Sequence, residues 1–427
     1  MANLQTNFLG VSSPNPFWLA SAPPTDKQYN VERAFEAGWG GVVWKTLGEA
    51  GPPIVNVNGP RYGAIWGPDR RLLGLNNIEL ITDRDLEVNL REIEQVKKNW
   101  PDRAMIVSLM VPCEEEPWKN ILKCVEQTGA DAVELNFGCP HGMSERGMGS
   151  AVGQVPEYIE MVARWCKQHS DLPVIVKLTP NITDIRYPAR AAKAGGADAV
   201  SLINTISSIV SVDLDSMAPE PTIDGKGSHG GYCGPAVKPI ALNMVAEIAR
   251  DAETRGLPIS GIGGVTTWRD AAEFIALGCG TVQVCTAAMT YGFKIVQEMA
   301  ADLEAWMDEK GYAGIEDFRG MAVPNVTDWQ YLNLNYVTKA RINQDLCISC
   351  GRCHIACEDT SHQAIAAFKE NGLRRYEVID KECVGCNLCM HVCPVEGCIS
   401  MVEVDNGKGY LNWKEDPRNP MSRKAAE

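Results

Sequence analysis

Short runs of apolar, β-branched residues alternate with amphipathic stretches of helical periodicity over the first ~290 residues. Eight such runs predict strands, at residues 17–21, 41–46, 105–110, 132–138, 174–179, 199–205, 259–264 and 281–286. Helical patterns lie between most of them, for example at 155–169, 182–194, 236–255 and 268–277. Near-continuous apolar strands that alternate with helices are typical of a parallel sheet buried on both faces. Eight units favour an α/β fold with a closed (β/α)8 TIM barrel; a doubly wound open sheet is the alternative.

Composition narrows the possible function. The formal net charge is −14, and most of it lies in the first 340 residues, which argues against a nucleic-acid-binding surface. The N-terminus has no basic or sustained apolar targeting region, and no run of about 18 apolar residues could span a membrane. Half of the 16 cysteines are scattered singly through apolar segments, which is typical of a reducing compartment, so we expect a cytoplasmic protein.

The other eight cysteines form two runs near the C-terminus, both with the spacing C-x2-C-x2-C-x3-C. This is the bacterial ferredoxin spacing for two [4Fe–4S] clusters, in which the fourth cysteine of each run ligates the other cluster. We therefore assign one cluster to Cys347, Cys350, Cys353 and Cys393, and the other to Cys383, Cys386, Cys389 and Cys357. Zinc or disulfides are the alternative, but four cysteines in an eleven-residue run are too many ligands for one tetrahedral ion.

These patterns predict four parts. Residues 1–310 form the barrel, 311–339 a linker with short helices, 340–406 a ferredoxin-like α+β domain, and 407–427 a polar tail that is extended or mobile. Two predicted loops, 47–82 after the second strand and 206–235 after the sixth, are long for a barrel. Long loops of this kind build the active face, so we interpret both as lids over a substrate or cofactor.

Polar residues occur at the C-terminal ends of the predicted strands, the catalytic face of such a barrel. One lysine there could be a core-edge residue whose amine reaches solvent, but two lysines and two asparagines on one rim favour a functional site. These rim residues are Ser21, Lys45, Thr46, Asn136, Lys177, Asn204, Thr205, Gly263, Gly264, Cys285 and Thr286.

The seventh and eighth predicted strands end in GIGGV and VCTAA. Small residues with accessible backbone N–H groups match the phosphate site that barrels build after these strands. A cofactor with one phosphate and a flat ring fits this layout, which favours FMN; the alternative is that the glycines only serve tight turns. One literal G-x-G-x-x-G match, at 225–230, follows no apolar strand, so we reject it as a dinucleotide site.

Cys139 is the strongest catalytic candidate. It follows the fourth predicted strand and precedes a loop with glycines at positions 142, 147 and 149. A thiol with a reference pKa of about 8.5 can donate a proton near neutral pH. A buried structural cysteine is the alternative interpretation.

NFGCPHGMSERGMG (136–149), KLTPN (177–181), NNIEL (76–80), the Asn204–Thr205 pair and the tandem cysteine runs together resemble the dihydropyrimidine dehydrogenase family. The likeness is to its C-terminal part, an FMN barrel of dihydroorotate dehydrogenase type plus a two-cluster ferredoxin module. The family's FAD and NAD(P)H domains have no counterpart here, which is similar to the split bacterial NAD-dependent enzyme, where a separate flavoprotein subunit supplies them. The resemblance implies a homodimer core within a heterotetramer.

The resemblance also implies residue roles. Cys139 would be the general acid that protonates pyrimidine C5, and Asn77, Glu79, Asn136, Asn204 and Thr205 would bind the pyrimidine. Lys45 and Lys177 would lie near the flavin. The rest of the FMN site would comprise Ser21, Thr46, Asn77, Asn204, Gly234, Gly263, Gly264, Cys285 and Thr286.

Two positions depart from the family pattern. Gly138 stands where the family often has Ser, which puts one substrate or loop hydrogen bond in doubt, and Glu358 stands where proline follows the other run.

Other functions remain open on the sequence alone. A dihydroorotate dehydrogenase with the clusters as electron outlet is the main alternative. A tRNA dihydrouridine synthase is opposed by the acidic charge, and a pure electron-transfer adaptor by the Cys139 loop and the rim lysines.

Overall fold

The computed structural model describes residues 2–51, 53–139 and 147–422 of the 427-residue chain. The chain divides into two compact units, with the division between Val326 and Thr327. In the described part, no helix is both long and apolar enough to cross a membrane.

Eight parallel strands close the first unit into a barrel. Each strand pairs with the next along the chain, and the eighth pairs with the first. This confirms the predicted (β/α)8 barrel and excludes the open sheet. The strands are β1 (Phe17–Leu19), β2 (Gly41–Leu47), β3 (Ala104–Leu109), β4 (Ala132–Asn136), β5 (Val174–Lys177), β6 (Ala199–Leu202), β7 (Ile259–Ile262) and β8 (Cys279–Val284).

Amphipathic helices surround the barrel, and their apolar faces pack with the outward-facing strand residues into one large core. Helix Gln28–Ala37 ends at Gly38, whose φ of 116° lies in the region that favours glycine. The other helices of this unit are Leu86–Asn99, Glu115–Glu126, Ser150–Gly153, Pro156–His169, Arg186–Ala194, Lys238–Arg250, Trp268–Ala276, Thr286–Tyr291 and Ile295–Lys310.

Every predicted strand overlaps a barrel strand, but several end earlier than predicted. The strand predicted at 199–205 ends at Leu202, so Asn204 and Thr205 lie in the loop beyond it. The helix predicted at 182–194 begins only at Arg186, and the one predicted at 236–255 ends at Arg250. Apolar periodicity therefore predicted the presence of these strands and helices more accurately than the residues at which they begin and end.

The two long loops contain secondary structure that the sequence did not reveal. Strands Tyr62–Trp66 and Leu72–Asn77 from the first loop join Ile206–Ser208 and Gly230–Cys233 from the second in one antiparallel sheet. Hereafter these four strands are called the lid sheet. The rejected 225–230 motif lies in the turn and loop that lead into Gly230–Cys233, and not between a strand and a helix.

The second unit contains two antiparallel pairs, Thr338–Ile342 with Ile399–Glu403 and Ile365–Glu370 with Leu373–Val378. Short helices Arg352–Glu358 and Leu388–Val392 follow the cysteine turns. The segment predicted as a linker is divided: residues 311–326 belong to the barrel unit and 327–339 to the second unit.

The described part of the C-terminal tail, 407–422, consists of turns and irregular segments, and its middle contacts the start of the second unit. Trp413 donates its backbone N–H to Gln330 O, and its ring lies 6.1 Å from that of Trp329. Asn412, Asp416 and Asn419 are buried because local turns satisfy their polar atoms. The tail is therefore mostly exposed, but it is anchored at a few buried polar positions.

Candidate active site and cluster ligands

A cavity of about 1290 Å³, partly open to solvent, lies at the carboxyl ends of the barrel strands under the lid sheet. All fifteen barrel residues predicted from the sequence line it. They are Ser21, Lys45, Thr46, Asn77, Glu79, Asn136, Cys139, Lys177, Asn204, Thr205, Gly234, Gly263, Gly264, Cys285 and Thr286.

A chain of hydrogen bonds crosses the cavity floor between four strands. Ser21 and Thr46 hydroxyls are 3.0 Å apart, and Asn136 Nδ2 donates to Thr46 Oγ1 at 3.0 Å. Asn204 Nδ2 donates in turn to Asn136 Oδ1 at 3.0 Å. These hydrogen bonds engage the amide nitrogens of both Asn136 and Asn204. The two amide side chains are therefore held in one orientation before any ligand binds.

Lys45 is buried and lies between two carboxylates, 3.7 Å from Asp26 Oδ2 and 3.6 Å from Glu79 Oε2. The other oxygen of Glu79 accepts hydrogen bonds from Arg61 Nη1 at 3.2 Å and from Tyr62 OH at 3.1 Å. Burial, followed by the charge of Glu79, raises the pKa of Tyr62 above its ordinary value. Arg61 and Tyr62 thereby fix the Glu79 carboxylate, which lies just beyond lid-sheet strand Leu72–Asn77.

Lys177 is paired with a carboxylate inside the barrel. Its Nζ lies 3.2 Å from Oε1 of the fully buried Glu134. Glu134 Oε2 also accepts from Ser201 Oγ at 2.8 Å and from Gln283 Nε2 at 3.2 Å. The sequence had suggested the lysine but not the glutamate, which lies in the middle of an apolar run.

Cys139 is buried at the end of the described segment 53–139 and packs with Ile81, Met110 and Met148. Its backbone carbonyl accepts a hydrogen bond from Ser150 N, which fixes the loop's return to the barrel. The intervening loop residues 140–146, including the predicted glycine at 142, lie outside the described residues. Cys139 therefore lines the cavity and packs against apolar side chains.

Gly138, the departure from the family pattern, has a steric explanation. A Cβ at this position would collide with the Asn204 side chain. Glycine therefore allows Asn204 to approach β4 and reach Asn136.

Glycine backbones form one end of the cavity. Gly234 and Gly264 have φ of 92° and 73°, conformations that L side chains rarely adopt. A Cβ on Gly264 would lie 2.9 Å from Lys238 N and 3.0 Å from Gly234 O. This close cradle of backbone fits a phosphate group.

The cavity residues that the sequence reasoning missed include Tyr62, Cys233 and Gln283. Gln283 Oε1 is buried and has no hydrogen-bond partner among the described residues, so it can accept one from a ring N–H of a ligand. A polar residue in the apolar run of β8 was the available signal. Burial raises the pKa of the Cys285 thiol to about 12, and the nearby Cys233 adds to this effect, so we expect both thiols to stay protonated.

The eight run cysteines line two separate cavities. The first cluster cavity, about 310 Å³, is lined by Cys347, Cys350, Cys353 and Cys393, and the second, about 360 Å³, by Cys357, Cys383, Cys386 and Cys389. These are the crossed sets predicted from the spacing. In the described part of the chain, no three His, Cys, Asp or Glu side chains are grouped so that they could hold a single metal ion. Four thiols spread around an apolar cavity suit a multi-iron cluster.

Matching backbone turns place the thiols. Ser349 and Gly385, each two residues after the first cysteine of a run, have φ of 58° and 76°. Gly351 and Asn387, each directly after the second cysteine, have φ of 79° and 57°. The same left-handed turns at both runs let three thiols converge. Glu358, the second position that departs from the family pattern, is an exposed residue at the end of helix Arg352–Glu358.

Family comparisons agree with this architecture. A sequence profile described as "Dihydroorotate dehydrogenase" matches residues 3–307, and one described as "4Fe-4S dicluster domain" matches residues 340–401. The first implies a flavin in the barrel and the second implies iron–sulfur chemistry in the second unit.

Individual relatives cover most of the chain. It is 42% identical over 97% of its length to the NAD-dependent dihydropyrimidine dehydrogenase subunit PreA of Escherichia coli strain K12, of which the match covers 98%. It is 43% identical to the chloroplastic dihydropyrimidine dehydrogenase (NADP(+)) of Arabidopsis thaliana, over 76% of the chain and 78% of that protein. It is also 37% identical to the catalytic subunit of dihydroorotate dehydrogenase B (NAD(+)) of Pyrococcus abyssi, over 75% of the chain and 99% of that protein.

Proposed function

Because the chain belongs to the dihydroorotate dehydrogenase family and carries a 4Fe–4S dicluster domain, we propose that it is the catalytic subunit of an NAD-dependent dihydropyrimidine dehydrogenase. It would catalyse the reversible reduction of uracil and thymine to 5,6-dihydropyrimidines. The observation that carries this assignment is the cavity floor, where Asn136 and Asn204 are pre-oriented amides beside the Cys139 thiol. Amide groups complement a ring that alternates C=O acceptors and N–H donors.

The cofactors proposed are FMN in the barrel and two [4Fe–4S] clusters in the second unit. Gly234, Gly263 and Gly264 would cradle the FMN phosphate, and Lys45, Lys177 and Gln283 would face its ring. Bound FMN would supply hydride transfer to pyrimidine C6, and the clusters one-electron transfer.

The chain's own residues would bind, orient and protonate the substrate. Asn77, Glu79, Asn136, Asn204 and Thr205 would hold the ring's polar edges, with Glu79 fixed in place by Arg61 and Tyr62. Cys139 would hold a proton at Sγ and donate it to C5. Its apolar neighbours Met110 and Met148 keep water from that atom.

Electrons would come from NADH through a separate FAD-containing flavoprotein subunit. We find no nicotinamide-binding fingerprint in this sequence, which supports a second polypeptide in that role. A homodimer of this chain within a heterotetramer, working in the cytoplasm, completes the proposal.

Dihydroorotate oxidation is the second candidate, since the relative from Pyrococcus abyssi carries that name. Orotate adds a ring carboxylate, which needs a cation. Both cavity lysines are already ion-paired, Lys45 with Asp26 and Glu79, and Lys177 with Glu134. This pairing favours a neutral pyrimidine.

Substrate choice tests the proposal directly. The chain, purified anaerobically with its neighbouring flavoprotein, should oxidise NADH in the presence of uracil or thymine and at most slowly with orotate. A preference for orotate would replace the proposal with the second candidate. FMN released from this chain by denaturation, separated from FAD by chromatography and measured by fluorescence, reports whether the barrel is loaded.

The acid assignment has its own test. Cys139→Ala should keep bound flavin and lower pyrimidine turnover by about 10²- to 10⁴-fold, because it removes the proposed proton donor to C5. Cys166→Ala, a buried cysteine in helix Pro156–His169 that does not line the cavity, is the matched control and should retain turnover. Unchanged turnover in Cys139→Ala would refute the assignment.

A further inference from the structure

Two consecutive residues at the start of lid-sheet strand Tyr62–Trp66 hold the carboxylate of Glu79. Arg61 Nη1 and Tyr62 OH both donate to Glu79 Oε1, at 3.2 and 3.1 Å. The Glu79 side chain is only 12% exposed, and its other oxygen lies 3.6 Å from Lys45 Nζ. Hydrogen bonds to a charged acceptor are about twice as strong as those between neutral groups. Arg61 and Tyr62 therefore anchor the carboxylate firmly from one side.

The register of the lid sheet places these donors opposite the carboxylate. Tyr62 pairs with Asn77 across the sheet, and the Arg61 carbonyl accepts from Ile78 N at 3.0 Å. The backbone of Glu79 is fixed as well, since its N–H donates to Asn77 Oδ1 at 3.2 Å. Both the main chain and the side chain of Glu79 are therefore in place before a ligand binds.

Both donors keep their protons. The Arg61 guanidinium is always charged and has no acceptor, and its Nε donates to Val57 O at 3.0 Å, which fixes the side chain at a second point. Burial, followed by the charge of Glu79, raises the pKa of Tyr62, so its hydroxyl retains the proton that it donates. At neutral pH a carboxylate only accepts hydrogen bonds. Glu79 lines the cavity, so it suits a ring N–H and not a second carboxylate.

We propose that Arg61 and Tyr62 are positioning residues that hold Glu79 against one ring N–H of the substrate, so that the site selects a pyrimidine in which that nitrogen carries no substituent. This rests on the proposed function, in which Glu79 binds the pyrimidine. A fixed carboxylate cannot turn aside, so a methyl group on that nitrogen would remove the hydrogen bond and also collide with the oxygen. A site built to bind an N–H strongly rejects an analogue that lacks it.

A purely structural role for Arg61 and Tyr62 makes a different prediction. If their bonds to Glu79 only stabilise the first long loop, their loss should weaken every pyrimidine by the same factor. If the bonds aim the carboxylate, their loss should instead reduce the discrimination between uracil and one particular N-methyl derivative. The ratio of two dissociation constants separates the two roles, because a general loosening of the site cancels from it.

The test measures dissociation constants by isothermal titration calorimetry on the anaerobically purified full-length chain with its flavin. The ligands are uracil, orotate, 1-methyluracil and 3-methyluracil. Wild type should bind uracil more tightly than orotate and than either methyl derivative. In Tyr62→Phe, the preference for uracil over one methyl derivative should fall about three- to tenfold, and in Arg61→Gln about tenfold or more. The preference over the other derivative should not change, because its methyl group faces other residues.

Two further variants control for charge and for the loss of a hydroxyl. Arg61→Lys keeps a charged donor and should recover much of the preference lost in Arg61→Gln. Tyr29→Phe removes a hydroxyl that accepts from Arg33 Nη1 at 3.3 Å on the surface of helix Gln28–Ala37, so all ratios should stay at their wild-type values.

The outcomes separate failure of this inference from failure of the proposed function. Wild type that binds no uracil, or that binds orotate more tightly, would refute the proposed function itself. With uracil bound, equal losses for all ligands in Tyr62→Phe and Arg61→Gln, parallel changes in both preferences, or no change at all would overturn the inference. Loss of flavin from both variants would also overturn it, because the two residues would then be a folding requirement.

Discussion

The barrel unit and the cluster unit bury different kinds of side chain. The barrel core is built from aliphatic and aromatic side chains, including the fully buried Trp18, Trp39, Trp44 and Trp118. Among the described residues, the hydrophobic core of the second unit has nine buried members, and four of them are Cys353, Cys383, Cys389 and Cys398. One unit is held by its own apolar surface, whereas the other is built around the groups that would bind its cofactors.

This difference indicates what each unit needs in order to fold. The barrel buries enough apolar side chains to be stable without a ligand. A unit of about a hundred residues with so small an apolar core has little stability of its own, and metal-ligand bonds then supply folding free energy. We therefore expect cofactor loss to affect the two units unequally.

Anaerobic removal of iron with a chelator should have the largest effect. Backbone amides of strands Thr338–Ile342 and Ile399–Glu403 should lose at least ~100-fold in hydrogen-exchange protection, because the thiols that form their core lose their common partner. Amides of β2 should keep their protection. Hydrogen exchange read by mass spectrometry resolves both regions in one sample.

Removal of the flavin is the complementary control, and it should leave both units folded. The comparison would fail if the second unit kept its protection without iron, or if the barrel lost protection together with it.

The barrel core is not entirely apolar, because it also buries the ion pair between Glu134 and Lys177. In Glu134→Gln, Lys177 would remain buried without its carboxylate, and breaking a buried ion pair by removing one partner costs about 3–5 kcal/mol. The free energy of unfolding of the barrel, followed by tryptophan fluorescence in urea, should fall by that order. The double variant Glu134→Gln/Lys177→Met should recover much of the loss, since it leaves no uncompensated charge.

Glu160→Gln provides the surface reference for this experiment. Glu160 pairs with Arg164 one helical turn away on the exposed face of helix Pro156–His169, and exposed pairs contribute at most about 1 kcal/mol. Equal losses in Glu134→Gln and Glu160→Gln would contradict a special role for the buried pair.

The two units were also unequally predictable. In the barrel, apolar runs identified all eight strands, and the polar residues at their ends, such as Lys45 and Asn136, do line one cavity. The lid sheet was missed because strands such as Gly230–Cys233 are short and contain glycine, and because Gly231 pairs with a residue 154 positions earlier in the chain. Pairing at that distance leaves no local pattern.

In the cluster unit, the cysteine spacing alone assigned the two ligand sets that line the two cavities. Cys398 also lines the first cluster cavity, together with Cys347. The sequence analysis did not identify it because it lies outside both cysteine runs. The contacts of the tail around Trp413 could not be predicted, because they depend on local turns and on packing against Trp329. Motif spacing therefore predicted which cysteines share a cavity, but not the other residues that line it.

The smallest expected effect concerns the turn that follows β7 beside the glycine cradle. Asp270 accepts from the backbone N–H of Thr266 and Thr267 at 2.9 and 2.8 Å and pairs with Lys238 at 2.6 Å. Burial acts to raise the pKa of Asp270, but these hydrogen bonds outweigh it, and the pKa is lowered. A carboxylate with a lower pKa in the folded than in the unfolded chain stabilises the fold above the unfolded pKa of about 4, and this stabilisation is lost as the pH falls below it.

Asp270→Asn should therefore cost about 1 kcal/mol of barrel stability at pH 7, as the loss of a helix cap does, and progressively less as the pH falls below about 4. The cluster unit should show no such difference between the two proteins, which separates this acid sensitivity from that of the iron sites. Thermal unfolding of wild type and variant at several pH values measures the gap, with Asp302→Asn, on the exposed side of helix Ile295–Lys310, as the control. If the stability difference between wild type and Asp270→Asn stays constant from pH 7 down to pH 3, the charge of the carboxylate does not stabilise the turn, and its packing does.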